Sequence, residues 1–236
     1  MEGDYTQFSQ EDLTRENLIN NTLLYVILPL SIIAVFAGTI MAIYEKDIKR
    51  LLAHSSVAQV GYITLAFAIG TKASVAAGFI HMFNHAIIKG GLFIAITSIG
   101  FYIKKRVTIN NLSGLGREMP ITFFCFVICS LSLAGLPLTA GFISKLYLIK
   151  ASISSDDIWI AILILISSAL SVVYLWKIIE VMWMRDGREI VIKENPTIYI
   201  SLIIITFLNI YFGLDASLVV NGSFEAADKL IGDLKW

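Results

Sequence analysis

Residues 75–103 read VAAGFIHMFNHAIIKGGLFIAITSIGFYI, an almost continuous apolar run that contains three ionisable side chains. A run of this length can cross the hydrocarbon core of a bilayer, about 30 Å thick, as a single helix. Strands of a membrane barrel would instead alternate apolar and polar residues over about ten positions. This run does not alternate, so it predicts a membrane-spanning α-helix and indicates the class of the whole chain.

Five further apolar runs of similar length accompany this one. Together they predict six spans, at residues 22–44, 51–70, 75–103, 121–149, 158–184 and 197–214. The expected fold class is an all-α polytopic membrane helix bundle. We expect residues 1–21 to form a polar outside segment and residues 22–214 to form the membrane domain. Residues 215–236 form a mildly amphipathic outside tail, for which a surface helix and a flexible segment are both open.

The composition of the chain agrees with a membrane protein. Hydrophobic residues make up 57% of the 236 residues and charged residues only 15%, against about 25% charged residues in an ordinary soluble domain. The mean hydropathy is +0.78. Eighteen basic and eighteen acidic residues give zero net charge, which argues against a nucleic-acid partner. Two cysteines are too few for a disulfide scaffold.

Basic residues are distributed unevenly between the two sets of loops. One set contains ten of them: Lys46, Lys49, Arg50, Lys104, Lys105, Arg106, Arg117, Arg185, Arg188 and Lys193. The other set contains five: Arg15, Lys72, Lys150, Lys229 and Lys235. Because cytoplasmic loops are enriched in lysine and arginine, the first set is predicted to be cytoplasmic. With an even number of spans, both termini are then predicted to lie outside.

The three ionisable residues of the third span share one helix face. His81, His85 and Lys89 are spaced four residues apart, so each step turns about 40° around the helix and the stripe is about 12 Å long. Such a stripe is costly against lipid and should face protein or water. Since histidine titrates near neutral pH, the pattern favours a proton relay. The alternatives are a structural hydrogen-bonding role and, more weakly, metal binding, for which no nearby Cys, Asp or Glu completes a site.

The fourth apolar run is interrupted in its middle. Pro137 lacks a backbone donor and clashes with the preceding turn, and Gly141 follows it, so a helix break is expected at these two residues. Broken helices at membrane depth are tolerated where they face protein or a wet cavity. Lys145 lies eight residues after the proline, inside the apolar run. We interpret it as a functional buried charge, because Lys150 is better placed to reach the interface.

Two further basic residues are weaker candidates for the relay. His54 lies in the second span and could extend a proton path toward the cytoplasm or serve only in packing. Lys49 lies just before that span and could be a relay member or an anchor that fixes the orientation of the chain. The sequence does not choose between these roles.

Three motifs, in order along the chain, carry a family resemblance. They are DIKRLLAHSSVAQVGY at 47–62, HMFNHAIIKG at 81–90, and LSLAGLP at 131–137, which runs into GFISK at 141–145. They resemble the signatures of the proton-conducting, antiporter-like membrane subunits. That family includes the large membrane-arm subunits of respiratory complex I, membrane hydrogenases and Mrp-type cation/proton antiporters. The resemblance covers roughly residues 22–214.

The resemblance implies a multi-pass, proton-translocating subunit of a bacterial inner membrane, with His81, His85, Lys89 and Lys145 as its relay and Lys145 as the terminal carrier. The stretch LGREMP at 115–120 and the GFISK motif look most like the D-type subunit of Mrp antiporters, with complex I or a hydrogenase as the alternative. The implied partners are the bilayer, other membrane subunits, protons and, for an antiporter, sodium. The sequence contains no nucleotide, flavin or iron–sulfur motif, so no cofactor is expected and any redox chemistry would lie in another subunit.

The chain departs from the family in its extent. Family members have about fourteen spans built from two inverted repeats of about five helices, and this chain resembles only the second repeat plus the final helix. Nothing matches the glutamate–lysine pair of the first repeat. We therefore expect half of a split subunit, or a fragment, that needs a chain carrying the first repeat. A non-conducting structural fragment is the alternative from another class, and an intramembrane enzyme has little support.

Overall fold

The computed structural model describes residues 23–185 and 196–234, which are almost entirely helical. Within these ranges nine α-helices follow one another: Leu28–Tyr44 (α1), Ile48–Ile69 (α2), Lys72–Ile103 (α3), Leu115–Glu118 (α4), Pro120–Ala134 (α5), Ala140–Ser154 (α6), Ile158–Met184 (α7), Pro196–Leu214 (α8) and Ser217–Leu234 (α9). A π-helical turn, Leu23–Ile27, precedes α1, and a 3-10 turn, Ile109–Leu112, precedes α4. The described ranges contain no β-strand, which confirms the predicted all-α class.

Five of the described helices are long and apolar enough to cross a membrane, namely α1 with part of the turn before it, α2, α3, α7 and α8. The remaining predicted span consists of two shorter helices, α5 and α6, with residues 135–139 between them. The six predicted spans therefore correspond to five continuous helices and one broken helix. The observed architecture is the polytopic helix bundle that the hydropathy pattern predicts.

The second and third spans begin three residues before their predicted starts, because a capping side chain precedes each helix. The carboxylate of Asp47 accepts the Arg50 N–H at 3.1 Å. The hydroxyl of Thr71 accepts the Ser74 N–H at 3.2 Å. These caps satisfy backbone donors that the first turn of a helix leaves unpaired. Hydropathy alone does not detect such starts, since the first turn is polar.

Helix α3 occupies the centre of the bundle and contacts α2, α5, α6, α8 and α9. Small residues let its neighbours approach closely: a Cβ added to Gly91 would lie 2.5 Å from Cys129 Sγ of α5. Such small-residue contacts are typical of helix packing in membranes. The predicted stripe of α3 faces protein, because His81 and Lys89 are both buried.

The apolar core forms two main clusters at opposite ends of the bundle. One joins the start of α2 to the ends of α3 and α7, with Leu51, Ile96 and Met182 among its members. The other joins the end of α2 to the start of α7, with Leu65 and Ile164 among its members. The outer surface exposes large apolar side chains such as Leu30, Ile33, Trp176 and Phe207. That surface suits contact with lipid chains.

The described part of the predicted tail forms helix α9. Ala227 is buried against the start of α3. The ring of Phe224 packs at an angle against Tyr147 of α6, with 6.3 Å between centroids. An exposed ion pair joins Lys72 to Asp228. Of the two alternatives that the sequence leaves open, the structure therefore has an amphipathic helix packed on one end of the bundle.

The loops after α1 and α3 meet in an isolated antiparallel bridge between Asp47 and Thr108. The basic residues of these two loops therefore lie at one end of the bundle, as the predicted orientation requires. The polar segment 1–21 and four of the basic residues used for that prediction lie outside the described residues: Arg15, Arg188, Lys193 and Lys235. Which end is cytoplasmic stays a prediction.

Candidate functional site

The break between α5 and α6 places unpaired backbone acceptors inside the bundle. Gly135 ends α5 in the left-handed conformation with φ +90°, and Leu138 also has a positive φ of +69°. Pro137 lies between them and cannot donate a backbone hydrogen bond. The last carbonyls of α5 have no N–H partner within their own helix. Another group must therefore donate to them.

Lys145 of α6 is that donor. Its Nζ donates to the carbonyl oxygens of Leu133 at 3.1 Å and Ala134 at 2.9 Å, and the residue is only 5% exposed. A Cβ added to Gly135 would lie 2.8 Å from Lys145 Cδ, so the glycine leaves room for the lysine to cross the end of α5. A cation at a helix C-terminus is also favoured by the helix dipole.

Polar contacts tie the break to α8. Ser132 of α5 donates to Asn209 Oδ1 of α8 at 2.7 Å. The same hydroxyl accepts the backbone N–H of Gly141 at 3.1 Å. Gly141 lies in the first turn of α6, and a Cβ there would overlap the Ser132 carbonyl oxygen. Three helices thus meet at Ser132, and this contact fixes the position from which Lys145 reaches back toward α5.

The two histidines of α3 lie side by side next to α6. His81 Nδ1 is 3.0 Å from Ser144 Oγ, and the rings of His81 and His85 stack with their centroids 6.2 Å apart. His81 Nε2 and His85 Nδ1 are buried and have no hydrogen-bond partner among the described residues. Buried polar atoms are as a rule paired with protein or water, so the space between the two rings suits bridging water.

Tyr62 of α2 lies between Lys145 and His81. Lys145 Nζ is 5.8 Å from the centroid of the tyrosine ring, and the His81 ring packs edge-on against the same ring at 5.5 Å. The Tyr62 hydroxyl lies beside the hydroxyls of Ser167 and Ser168 on α7. Tyr62 therefore links the broken helix, the histidines and α7.

Lys89 lies at the other end of the stripe and is 6% exposed. Its Nζ donates to the Leu52 carbonyl oxygen at 2.7 Å and to Ser55 Oγ. The Tyr174 hydroxyl of α7 also lies within hydrogen-bond reach of Ser55. Neither Lys89 nor Lys145 forms an ion pair with a described residue. Both lysines are thus held by neutral oxygens, an expensive arrangement that marks functional candidates in membranes.

The structure brings the four main relay candidates into one buried line. We call Lys145, Tyr62, His81, His85 and Lys89 the polar track. It runs from the break between α5 and α6, along α3, to the start of α2. Histidines and lysines that bridging water can connect are groups that pass protons.

The weaker relay candidates lie apart from the polar track. Lys49 is exposed. The side chain of His54 is 34% exposed and its Nε2 lies 3.9 Å from Glu45 Oε2. The backbone N–H groups of Asp47 and Lys46 hold the pKa of the Glu45 carboxyl below its usual range, so this carboxylate is available to pair with the histidine. Relay roles for Lys49 and His54 remain predictions.

The described part of the chain contains no group of three or more His, Cys, Asp and Glu residues that could hold a metal ion. Cys125 and Cys129 are buried and free. Cys129 Sγ lies 3.8 Å from Thr206 Oγ1 of α8, so this thiol takes part in helix packing.

Sequence reasoning did not identify Ser144, Tyr174 and Asn209 as parts of this site. Each is a polar residue within an apolar span. Asn209 could have been found, because an amide in a membrane span needs a hydrogen-bonding partner on another helix. Serine and tyrosine are common in spans, so Ser144 and Tyr174 give no comparable signal.

The comparison with known families now bears on this geometry. Residues 12–171 match the family described as "NADH:quinone oxidoreductase/Mrp antiporter, TM". The chain belongs to this family. It is accordingly a multi-pass membrane protein with an antiporter-like subunit fold, as the three sequence motifs imply.

Individual members of the antiporter family place the chain more closely. It is 40% identical over 144 residues to NADH-quinone oxidoreductase subunit N of Desulforudis audaxviator, covering 61% of this chain and 28% of the relative. It resembles a chain of the membrane-bound sulfane sulfur reductase, an archaeal respiratory membrane complex, with TM-score 0.83, 31% identity and coverage of 94% and 44%. A chain of the Mrp complex from Dietzia sp. gives TM-score 0.82 at 22% identity, with coverage of 91% and 48%, which is a likeness of fold alone.

These relatives favour the complex I alternative over the Mrp interpretation that the sequence motifs placed first. The motifs of the second repeat are shared across the antiporter family, so they identify the family better than the member. The chain spans less than half the length of the relatives that it matches. The structural neighbours are subunits of multisubunit membrane complexes, which supports other membrane subunits as partners.

Proposed function

We propose that the chain is a proton-translocating membrane subunit of a respiratory complex of the NADH:quinone oxidoreductase type, in a bacterial or archaeal cell membrane. The polar track carries this proposal: it contains four ionisable residues on α3 and α6, buried or half-buried, and its lysines have no counter-ion among the described residues. The 40% identity to a relative named subunit N supports a respiratory complex over an antiporter.

The contacts of His81 suit it to pass a proton. Ser144 donates its hydroxyl hydrogen to the Gly141 carbonyl oxygen at 3.0 Å, so its oxygen accepts from His81 Nδ1 at 3.0 Å. That contact favours the neutral tautomer with hydrogen on Nδ1 and a lone pair on Nε2. Nε2 has no partner among the described residues, so it can accept a proton through water from the side of His85. Release from Nδ1 then moves the proton toward α6.

The contacts of Lys145 allow it to hold or release a proton in place. Its two carbonyl acceptors accept N–H bonds from an ammonium and from a neutral amine alike. The side chain therefore need not move when the proton leaves. Charges interact over several ångströms in a low-dielectric interior, so a charge change on a neighbouring subunit can shift Lys145 between its two states. We propose this coupling as the route by which the driving energy reaches the polar track.

The energy source and the rest of the path lie in partner subunits. The sequence contains no cofactor motif, so the electron-transfer chemistry is assigned to other subunits of the complex. A partner carrying the first repeat would supply the half-channel that this chain lacks. Sodium would enter only in the antiporter alternative.

Replacing Lys89 with methionine is expected to reduce proton transport about tenfold or more. Methionine has a similar length but cannot carry a proton. The Leu52 carbonyl oxygen keeps its bond from Ser55 at 2.9 Å, so the fold should tolerate the change. The measurement is NADH-driven acidification of inverted vesicles, followed with a pH-sensitive dye. The vesicles come from cells whose sole copy of the gene has the substitution.

The matched control is Lys177→Met, since Lys177 is an exposed lysine of α7 and should be dispensable. Transport at the wild-type rate by a fully assembled Lys89→Met complex would favour the non-conducting structural alternative. Proton movement that follows an imposed sodium gradient, with no response to NADH, would favour the antiporter instead.

A further inference from the structure

The loops after α1 and α3 are joined at one end of the bundle. Ile48 N–H donates to the Val107 carbonyl oxygen at 3.0 Å, and Ile109 N–H donates to the Lys46 carbonyl oxygen at 3.0 Å. These two bonds flank the bridge between Asp47 and Thr108. Two loops that are far apart in the sequence are therefore held in a fixed register.

This junction forms one side of a groove of about 500 Å³. Four cationic side chains line it, namely Lys49 and Arg50 from the start of α2 and Lys105 and Arg106 from the loop after α3. Asp47 is the single acidic residue among its lining residues. The groove therefore has a net charge of +3 from side chains that converge from two separate loops.

Only one of these cations is neutralised by an ion pair in the described part of the chain. Arg106 Nε lies 2.7 Å from Asp47 Oδ2. Partial burial raises the pKa of the Asp47 carboxyl, but the Arg50 N–H and the Arg106 guanidinium together hold it below its usual range. Asp47 is thus a fixed anion that orients Arg106. Lys49, Arg50 and Lys105 form no ion pair with a described residue, and they remain available to an anionic ligand.

The remaining wall of the groove belongs to the membrane-spanning part of α3. Thr97, Gly100 and Phe101 line it, and Phe101 is 68% exposed. An exposed aromatic ring at the end of a span is typical of the interfacial region of a bilayer. The groove thus presents cations to an anion and an apolar flank to the chains attached to it.

We propose that this groove binds the headgroup phosphate of an anionic phospholipid, with the acyl chains lying along the last turns of α3. Basic pockets beside transmembrane helices attract anionic lipids at about 1 kcal/mol per lysine or arginine. A soluble phosphate would use the cations but not the apolar flank, so the geometry favours a lipid. This site is separate from the polar track and does not depend on the proposed transport function.

Orientation of the chain alone does not account for the arrangement. The positive-inside rule requires basic residues in the loops but no particular contact between them. Here backbone hydrogen bonds join two loops, and an ion pair to Asp47 orients one arginine of the groove.

The test uses the whole purified complex in phosphatidylcholine vesicles that contain a small fraction of photoreactive phosphatidylglycerol. Crosslinked peptides are mapped by mass spectrometry. We expect crosslinks in residues 97–107, and a reduction of about tenfold in the double variant Arg50→Gln/Lys105→Gln. Lys150→Gln is the matched control, since Lys150 ends α6 at the other end of the bundle and should leave these crosslinks unchanged.

Three results would overturn the proposal. Equal crosslinking of these residues by photoreactive phosphatidylcholine would show that the headgroup charge is not recognised. Unchanged crosslinking of the assembled double variant would show that the two cations do not bind the lipid. Loss of the crosslinks on addition of millimolar inorganic phosphate would assign the groove to a soluble anion.

Discussion

Replacing Lys145 with methionine is expected to reduce proton transport about a hundredfold or more. Methionine fits the space of a lysine but carries no proton. The change also removes the donor that now serves the carbonyl oxygens of Leu133 and Ala134. The effect should therefore exceed that of Lys89→Met, because Ser55 continues to serve the acceptor of Lys89. The measurement is the initial rate of NADH-driven dye response in inverted vesicles, normalised to the amount of chain.

The control for this variant is Lys150→Met. Lys150 is exposed, and its Nζ lies over the ring of Tyr147 at 5.6 Å from the centroid, so its loss should leave transport near the wild-type rate. Equal losses in the two variants would contradict a specific role for Lys145. They would indicate that any lysine removed from α6 disturbs the complex.

A Gly141→Ala change is expected to destabilise the bundle by about 3 kcal/mol. The added Cβ would overlap the Ser132 carbonyl oxygen, which is a backbone atom and cannot turn away as a flexible side chain can. Separation of α5 from α6 would also break the bond from Gly141 N–H to Ser132 Oγ. The measurements are the amount of chain in assembled complex and its thermal unfolding midpoint in detergent.

Gly222→Ala is the matched control for this change. Gly222 lies in α9, and an added Cβ there would meet nothing within 4 Å. Alanine is also a better helix former than glycine by about 1 kcal/mol, so this variant should be as stable as the wild type or slightly more so. Wild-type stability of Gly141→Ala would show that the contact between α5 and α6 is looser than described here.

Much of the membrane architecture could be predicted from local patterns. Apolar runs of membrane length locate the spans, and Pro137 marks the interrupted one because a missing donor has the same effect in any context. The four-residue spacing places His81, His85 and Lys89 on one face through helix geometry alone. The cost of placing these groups against lipid then predicts that the face is turned inward.

The contacts that make a site of these residues could not be predicted in the same way. Lys145 reaches back to the end of α5, and Tyr62 stands between it and His81. These contacts depend on how distant helices pack, and hydropathy patterns carry no information on that packing. The same limit applies to Ser132 and Asn209, whose bond joins two spans that are far apart in the sequence.

Proton transport by a complex that carries Lys145→Arg tests the central claim most directly. Arginine keeps the positive charge and the donors for Leu133 and Ala134, but it is not deprotonated in proteins. If Lys145 must release a proton in each cycle, this complex should assemble in normal amounts and its NADH-driven acidification of inverted vesicles should fall to background. Acidification at the wild-type rate would contradict the claim, because a fixed charge at this position would then be sufficient for transport.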